Sequence, residues 1–123
     1  MPFPLKFKGM QKGKAFEELV KNFLSSKGYR VIARNYRSPF GELDIVADNG
    51  EKLLIVEVKG SLKNSNPASR VDCPKVVKIY KTFLGFLEQN PHLEEREIHF
   101  LTAEVVGKSV SFKRIILEDC LEP

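Results

Sequence analysis

Glu42, Asp44, Glu57 and Lys59 are the residues of this chain whose types and spacing bear most directly on catalysis. They fall in two short runs, residues 42–47 (ELDIVA) and 53–59 (LLIVEVK), which read as strands around Asp48-Asn49-Gly50, a strong hairpin signal. With Asn49-Gly50 as a two-residue loop, Asp48 pairs with Glu51, Asp44 lies opposite Ile55, and Glu42 lies opposite Glu57. Alternation then gathers Glu42, Asp44, Glu57 and Lys59 on one face and turns Leu43, Ile45, Val56 and Val58 into apolar packing. A three-residue loop would slip the register by one and scatter the set.

Three carboxylates on one face repel one another unless something compensates them. A divalent cation does so, and hard oxygen donors with no nearby His or Cys point to Mg²⁺ or Mn²⁺ rather than zinc. Lys59, two residues past Glu57, comes within reach of the same centre, where it can hold a water or stabilise charge on a phosphate. A second reading fits the spacing as well: a solvated strand face with Lys59 paired to an acid.

The elements that must position these residues follow from the pattern. Between Lys14 and Lys27 the residues Ala15, Phe16, Leu19, Val20, Phe23 and Leu24 recur at helical spacing, and Gly28 is a natural stop. Glu18 faces away from that stripe, whereas Glu17 lies at its edge. Residues 29–36 read as a strand broken by Ser38-Pro39-Phe40-Gly41. Pro74 opens a second helix with an apolar stripe through Val76, Val77, Ile79, Tyr80, Phe83, Leu84 and Leu87. Residues 97–106 and 109–117 read as two further strands. The order is helix, three strands, helix, two strands, an α/β or α+β sheet flanked by helices. Residues 1–12 read as a mobile basic arm before a single domain over 13–123, and residues 60–73 as a long polar loop.

The chain has 123 residues and a net charge of +4. Residues 1–41 carry nine bases against two acids, and residues 60–87 five bases against one. Between them, residues 42–59 hold five acids and two lysines. Arg34, Arg37, Lys63, Arg70, Lys75 and Lys78 are candidates to contact phosphates beside the acidic island; solubilising charge is the other reading. Neither a membrane span nor a signal peptide is evident, and two cysteines outside any CxxC pattern form no disulfide framework. Cys73 and Cys120 are expected as buried or incidental thiols, and a reducing cytoplasm is the simplest compartment. His92 and His99 have no partners that would make a triad or a zinc site, and no glycine loop suggests ATP.

Residues 41–47 (GELDIVA), followed by Glu57-Val58-Lys59, resemble the core of the PD-(D/E)xK nucleases. The chain more closely resembles the YraN-type family of bacterial proteins, themselves similar to archaeal Holliday-junction resolvases. Residues 13–17 (GKAFE), 33–37 (ARNYR), Val71 and Lys75 extend the match. The resemblance implies a restriction-endonuclease-like α/β fold, a mixed β-sheet flanked by α-helices. It implies Asp44 and Glu57 as metal ligands helped by the Val58 carbonyl, Glu17 completing the shell or positioning water, and Lys59 activating the attacking water. Glu42 matches a family acid of no assigned role. Gly60-Ser61 and residues 102–105 (TAEV) depart from the family pattern. The expected function is Mg²⁺-dependent hydrolysis of DNA, branched or junction DNA included, and the resemblance to the resolvases suggests a homodimer. The alternatives are a non-catalytic nucleic-acid-binding module with the same fold and a protein-interaction domain.

Overall fold

A computed structural model describes residues 12–61 and 72–121. The expected arm over 1–12 lies outside these residues except for Lys12, and so does most of the expected loop, including Lys63, Arg70 and Val71. The elements are α1 (Lys12–Ser26), β1 (Arg30–Ser38), β2 (Gly41–Asp48), β3 (Lys52–Ser61), α2 (Cys73–Gln89), a 3₁₀ turn (Pro91–Glu95), β4 (Glu97–Val106), β5 (Ser109–Arg114) and α3 (Glu118–Leu121). The five strands form one mixed sheet in the order β1-β2-β3-β4-β5. Only β3 and β4 run parallel, because α2 carries the chain between them; the other neighbours are antiparallel.

Each helix covers one face. Phe16, Val20 and Leu24 of α1 bury against Ile45, Ala47, Leu54, Val56, Ala103 and Val105. Ile79, Phe83 and Phe86 of α2 bury against Leu43, Val46, Leu53, Ile55 and Phe100. Each fully buried aliphatic or aromatic side chain stabilises by roughly 1.5–3 kcal/mol before entropy is counted, which is why helical spacing and strand alternation decide the fold. Helix α1 ends where Gly28 takes φ +93°, with the Tyr29 and Gly28 amides donating to the Leu24 and Ser25 carbonyls. Helix α2 begins at Asp72, whose carboxylate accepts the Lys75 amide at 3.1 Å.

The hairpin differs from expectation. Asp48 pairs with Leu53 and Ile45 with Val56, so the loop has four residues, 49–52, rather than two. Its side chains close it: Asp48 Oδ1 accepts the Gly50 amide, and Asn49 Oδ1 accepts those of Glu51 and Lys52. The slip is two residues, an even number, so within residues 45–48 it keeps side chains on their expected faces and moves Asp44 from opposite Ile55 to the Glu57 level, whereas Glu42, between Gly41 and Leu43 on the α2 side, leaves the expected shared face. Leu43 is also corrected, since it packs under α2 whereas Ile45, Val56 and Val58 pack under α1.

Cys73 and Cys120, expected as unlinked thiols, are joined in a disulfide with Cα atoms 5.1 Å apart. The bond ties the start of α2 to α3, a short helix not anticipated from the sequence, across 47 residues of chain. Among the described residues, no helix is long and apolar enough to cross a membrane.

Candidate active site

The acidic centre is built where β2 leaves its regular path. Leu43 and Ile45 are two residues apart yet enter opposite cores, so the strand turns over at Asp44. On β1 the residue opposite is Asn35, set between the pairs Arg34–Ile45 and Tyr36–Leu43 and held at φ +53°, a conformation asparagine tolerates better than most residues. The β2–β3 ladder stops at Ile45 and Val56. Beyond it, Asp44 Oδ2 accepts the Val58 amide at 2.9 Å, a side chain taking the place of a ladder carbonyl.

Burial first, and the charge of Glu57 second, push the Asp44 carboxyl up to about 7, against the pull of the Val58 amide. Glu17 and Glu42 add smaller contributions in the same direction. Glu57 is itself buried, at 7% exposure, and its Oε2 lies 2.8 Å from Lys75 Nζ on the first turn of α2. Lys59 follows on the same strand and is half-buried, with its backbone paired to Glu104 of β4.

Glu17 reaches the centre from α1. Burial raises its pKa, Asn35 Nδ2 donates to its Oε1 at 3.2 Å, and Arg34 lies 3.9 Å away. Its placement depends on Gly60. A Cβ there would stand 2.3 Å from the Phe16 ring, so the bare backbone of β3 admits the first turns of α1.

The basic candidates divide. Arg34 pairs with Glu18 at 3.1 Å and Arg37, 79% exposed, stands 3.9 Å from Glu42. Lys75 is drawn inward by Glu57, which raises its pKa, while Lys78 is exposed one turn further along α2.

Sequence reasoning missed three features here. Asn35 orients Glu17, and its only signal was an asparagine inside a strand-like run. Glu57 and Lys75 are 18 residues apart, and only the fold brings them together. Glu104 has a buried Oε2 with no hydrogen-bond partner, 3.8 Å from Lys113 Nζ.

Among the described residues, no three His, Cys, Asp or Glu side chains are gathered as a ready metal cage. The donor set still fits Mg²⁺, which usually takes one or two carboxylates and keeps several waters. Asp44 has one oxygen committed to the Val58 amide and one left over, and burial together with the neighbouring Glu57 charge raises its pKa. Two clefts of about 310 and 490 Å³ contain none of these carboxylates.

Comparison with known proteins gives the setting. A Holliday junction resolvase from the archaeal hyperthermophile Archaeoglobus fulgidus superposes with a TM-score of 0.54 at 21% identity, covering 86% of this chain and 78% of the resolvase. That likeness shows the fold, which is restriction-endonuclease-like as the sequence led us to expect. A UPF0102 protein of Kosmotoga olearia is 41% identical over 90 residues, 72% of this chain and 78% of the relative. A UPF0102 protein of a Sulfurihydrogenibium species is 36% identical over 102 residues, covering 81% and 88%. The uncharacterised protein family UPF0102 matches residues 16–108, and to that family this chain belongs.

Proposed function

We propose that this protein is a divalent-metal-dependent nuclease that hydrolyses phosphodiester bonds in DNA, with branched or junction DNA as the favoured substrate. The observation that carries the reading is the buried Asp44–Glu57 pair, in which desolvation and mutual repulsion push Asp44 up to about 7. Two carboxylates held side by side at a break in a sheet, one of them with its pKa strongly raised, mark a candidate functional site. The resolvase fold adds support by analogy only.

In this reading Asp44, Glu57 and the Val58 carbonyl hold Mg²⁺ or Mn²⁺. The chemistry such an ion supplies is neutralisation of phosphate charge and acidification of water. The Val58 amide fixes Asp44 so that its other oxygen is presented in one orientation. Asn35 holds Glu17 at the rim, where its carboxylate positions water. Lys59 orients the attacking water and stabilises charge on the phosphate. Arg34, Arg37 and Lys78, with Lys63 and Arg70, contact the backbone without reading sequence. A homodimer would supply two such centres for two strands, which light scattering tests.

The non-catalytic module remains the second reading because Lys75 already neutralises Glu57. Cleavage of a branched DNA with Mn²⁺ separates the two. The nuclease reading expects wild type to cut and Asp44→Ala and Glu57→Ala to lose at least about 100-fold in rate while remaining folded. Equal cleavage by all three proteins would mean the assigned site is wrong.

A further inference from the structure

Glu57 and Lys75 form an ion pair with unequal ends. The carboxylate side chain is 8% exposed and the lysine side chain 49%, with Nζ 2.8 Å from Oε2. A buried carboxylate left without a counter-charge is costly, and Asp44 stands beside Glu57 as a second acid. Lys75 supplies that charge from the first turn of α2, where Asp72 caps the helix and fixes its start. A divalent ion between Asp44 and Glu57 would approach the same carboxylate and repel the ammonium. The lysine can leave at little cost, because half of its side chain already faces water.

We propose that Lys75 is the resident counter-ion of Glu57, displaced when the divalent ion enters and then captured by a substrate phosphate, so that metal and DNA binding favour each other through one side chain. The inference rests on the metal-dependent reading above. The released ammonium stands one helical turn from exposed Lys78, so the two lysines together offer a phosphate a pair of donors on one helix. Before substrate arrives, Lys75 holds metal affinity down; the phosphate lifts that restraint. Coupling of this kind is reciprocal, so metal must tighten DNA binding by the same factor.

The test is calorimetric titration of Mn²⁺ at pH 8 into wild type, Lys75→Gln and Lys75→Arg, alone and with a phosphorothioate-linked duplex that resists cleavage. Without DNA, Lys75→Gln should bind Mn²⁺ about tenfold more tightly than wild type, a coupling within the usual range for linked sites. Lys75→Arg, which keeps the charge, should stay within about threefold of wild type. The duplex should tighten Mn²⁺ binding to wild type about fivefold and to Lys75→Gln less than twofold. Melting curves accompany each titration, and Mn²⁺ should raise the Tm of Lys75→Gln more than that of wild type. Unchanged or weaker Mn²⁺ binding by folded Lys75→Gln, or equal coupling to DNA in both, overturns the displacement and leaves the metal site standing. Absence of Mn²⁺ binding to every protein at millimolar concentration overturns the metal-dependent reading, and the displacement with it.

Discussion

Asp44 and Asp48 stand four residues apart on β2 and are held in opposite ways. Asp48 is 9% exposed and fully answered: Arg96 Nε and Nη2 donate to its two oxygens at 2.8 and 3.2 Å, and the Gly50 amide donates at 2.9 Å. The Arg96 hydrogen bonds, chiefly, hold its carboxyl below the usual range. The pair fastens the hairpin loop to the entrance of β4, beside the hydrogen bond from the Glu97 amide to the Glu51 carbonyl. Asp44 receives one amide and three acidic neighbours, and its carboxyl rises to about 7. One strand therefore carries a structural aspartate answered by a guanidinium and two more hydrogen bonds, and another buried among acids with one amide to answer it. The second is the functional candidate.

The largest expected difference between them is in catalysis. Asp44→Asn should lower Mn²⁺-supported cleavage by at least about 100-fold, whereas Asp48→Asn, scaled to folded protein, should stay within about threefold of wild type. A matched loss in both would end the distinction. Stability should sort them the other way. Asp48→Ala leaves Arg96 without its partner and the Gly50 amide without its acceptor, so the Tm should fall on the order of 5 °C or more.

A smaller effect sharpens the contrast through pH. The folded pKa of Asp44 lies above its ordinary value of 3.8, so its contribution to stability is fully present below about 3.8 and is lost as pH rises through about 7. Asparagine keeps an acceptor for the Val58 amide and does not titrate. In metal-free buffer, Asp44→Asn should therefore gain on wild type by about 2 kcal/mol between pH 5 and pH 8, read by denaturant unfolding. Asp48 has the reverse sign: its stabilisation is present above its ordinary pKa and is lost as pH falls through its lowered folded value.

Much of this was legible in the residues, for reasons that can be named. The apolar stripes at Phe16, Val20 and Leu24 and at Ile79, Phe83 and Phe86 fixed two helices because burial dominates local choice. Asp44 and Glu57 stay together despite the longer loop because the slip is even, whereas Glu42 leaves that face where β2 turns over. Asn49-Gly50 is a two-residue turn signal through its backbone, whereas the Asn49 side chain lengthens the loop by accepting two amides. Tertiary partners were not legible. Nothing local links Cys73 to Cys120, Asp48 to Arg96, or Glu57 to Lys75. The turnover of β2 at Asp44 was also hidden, since a strand's alternation is read on the assumption that it is regular.

The central claim is that Asp44 and Glu57 share a site for a divalent ion, and that Asp48 does not. Carbon-detected NMR of the side-chain carboxyls tests it most directly, titrated in pH and then with substoichiometric Mn²⁺ at pH 8. The account expects Asp44 to titrate near 7 and Asp48 below its ordinary value, with Mn²⁺ broadening the Asp44 and Glu57 carboxyl signals first and leaving that of Asp48 sharp. Ordinary titration of Asp44, or broadening that falls on Asp48 and exposed acids alike, would contradict it.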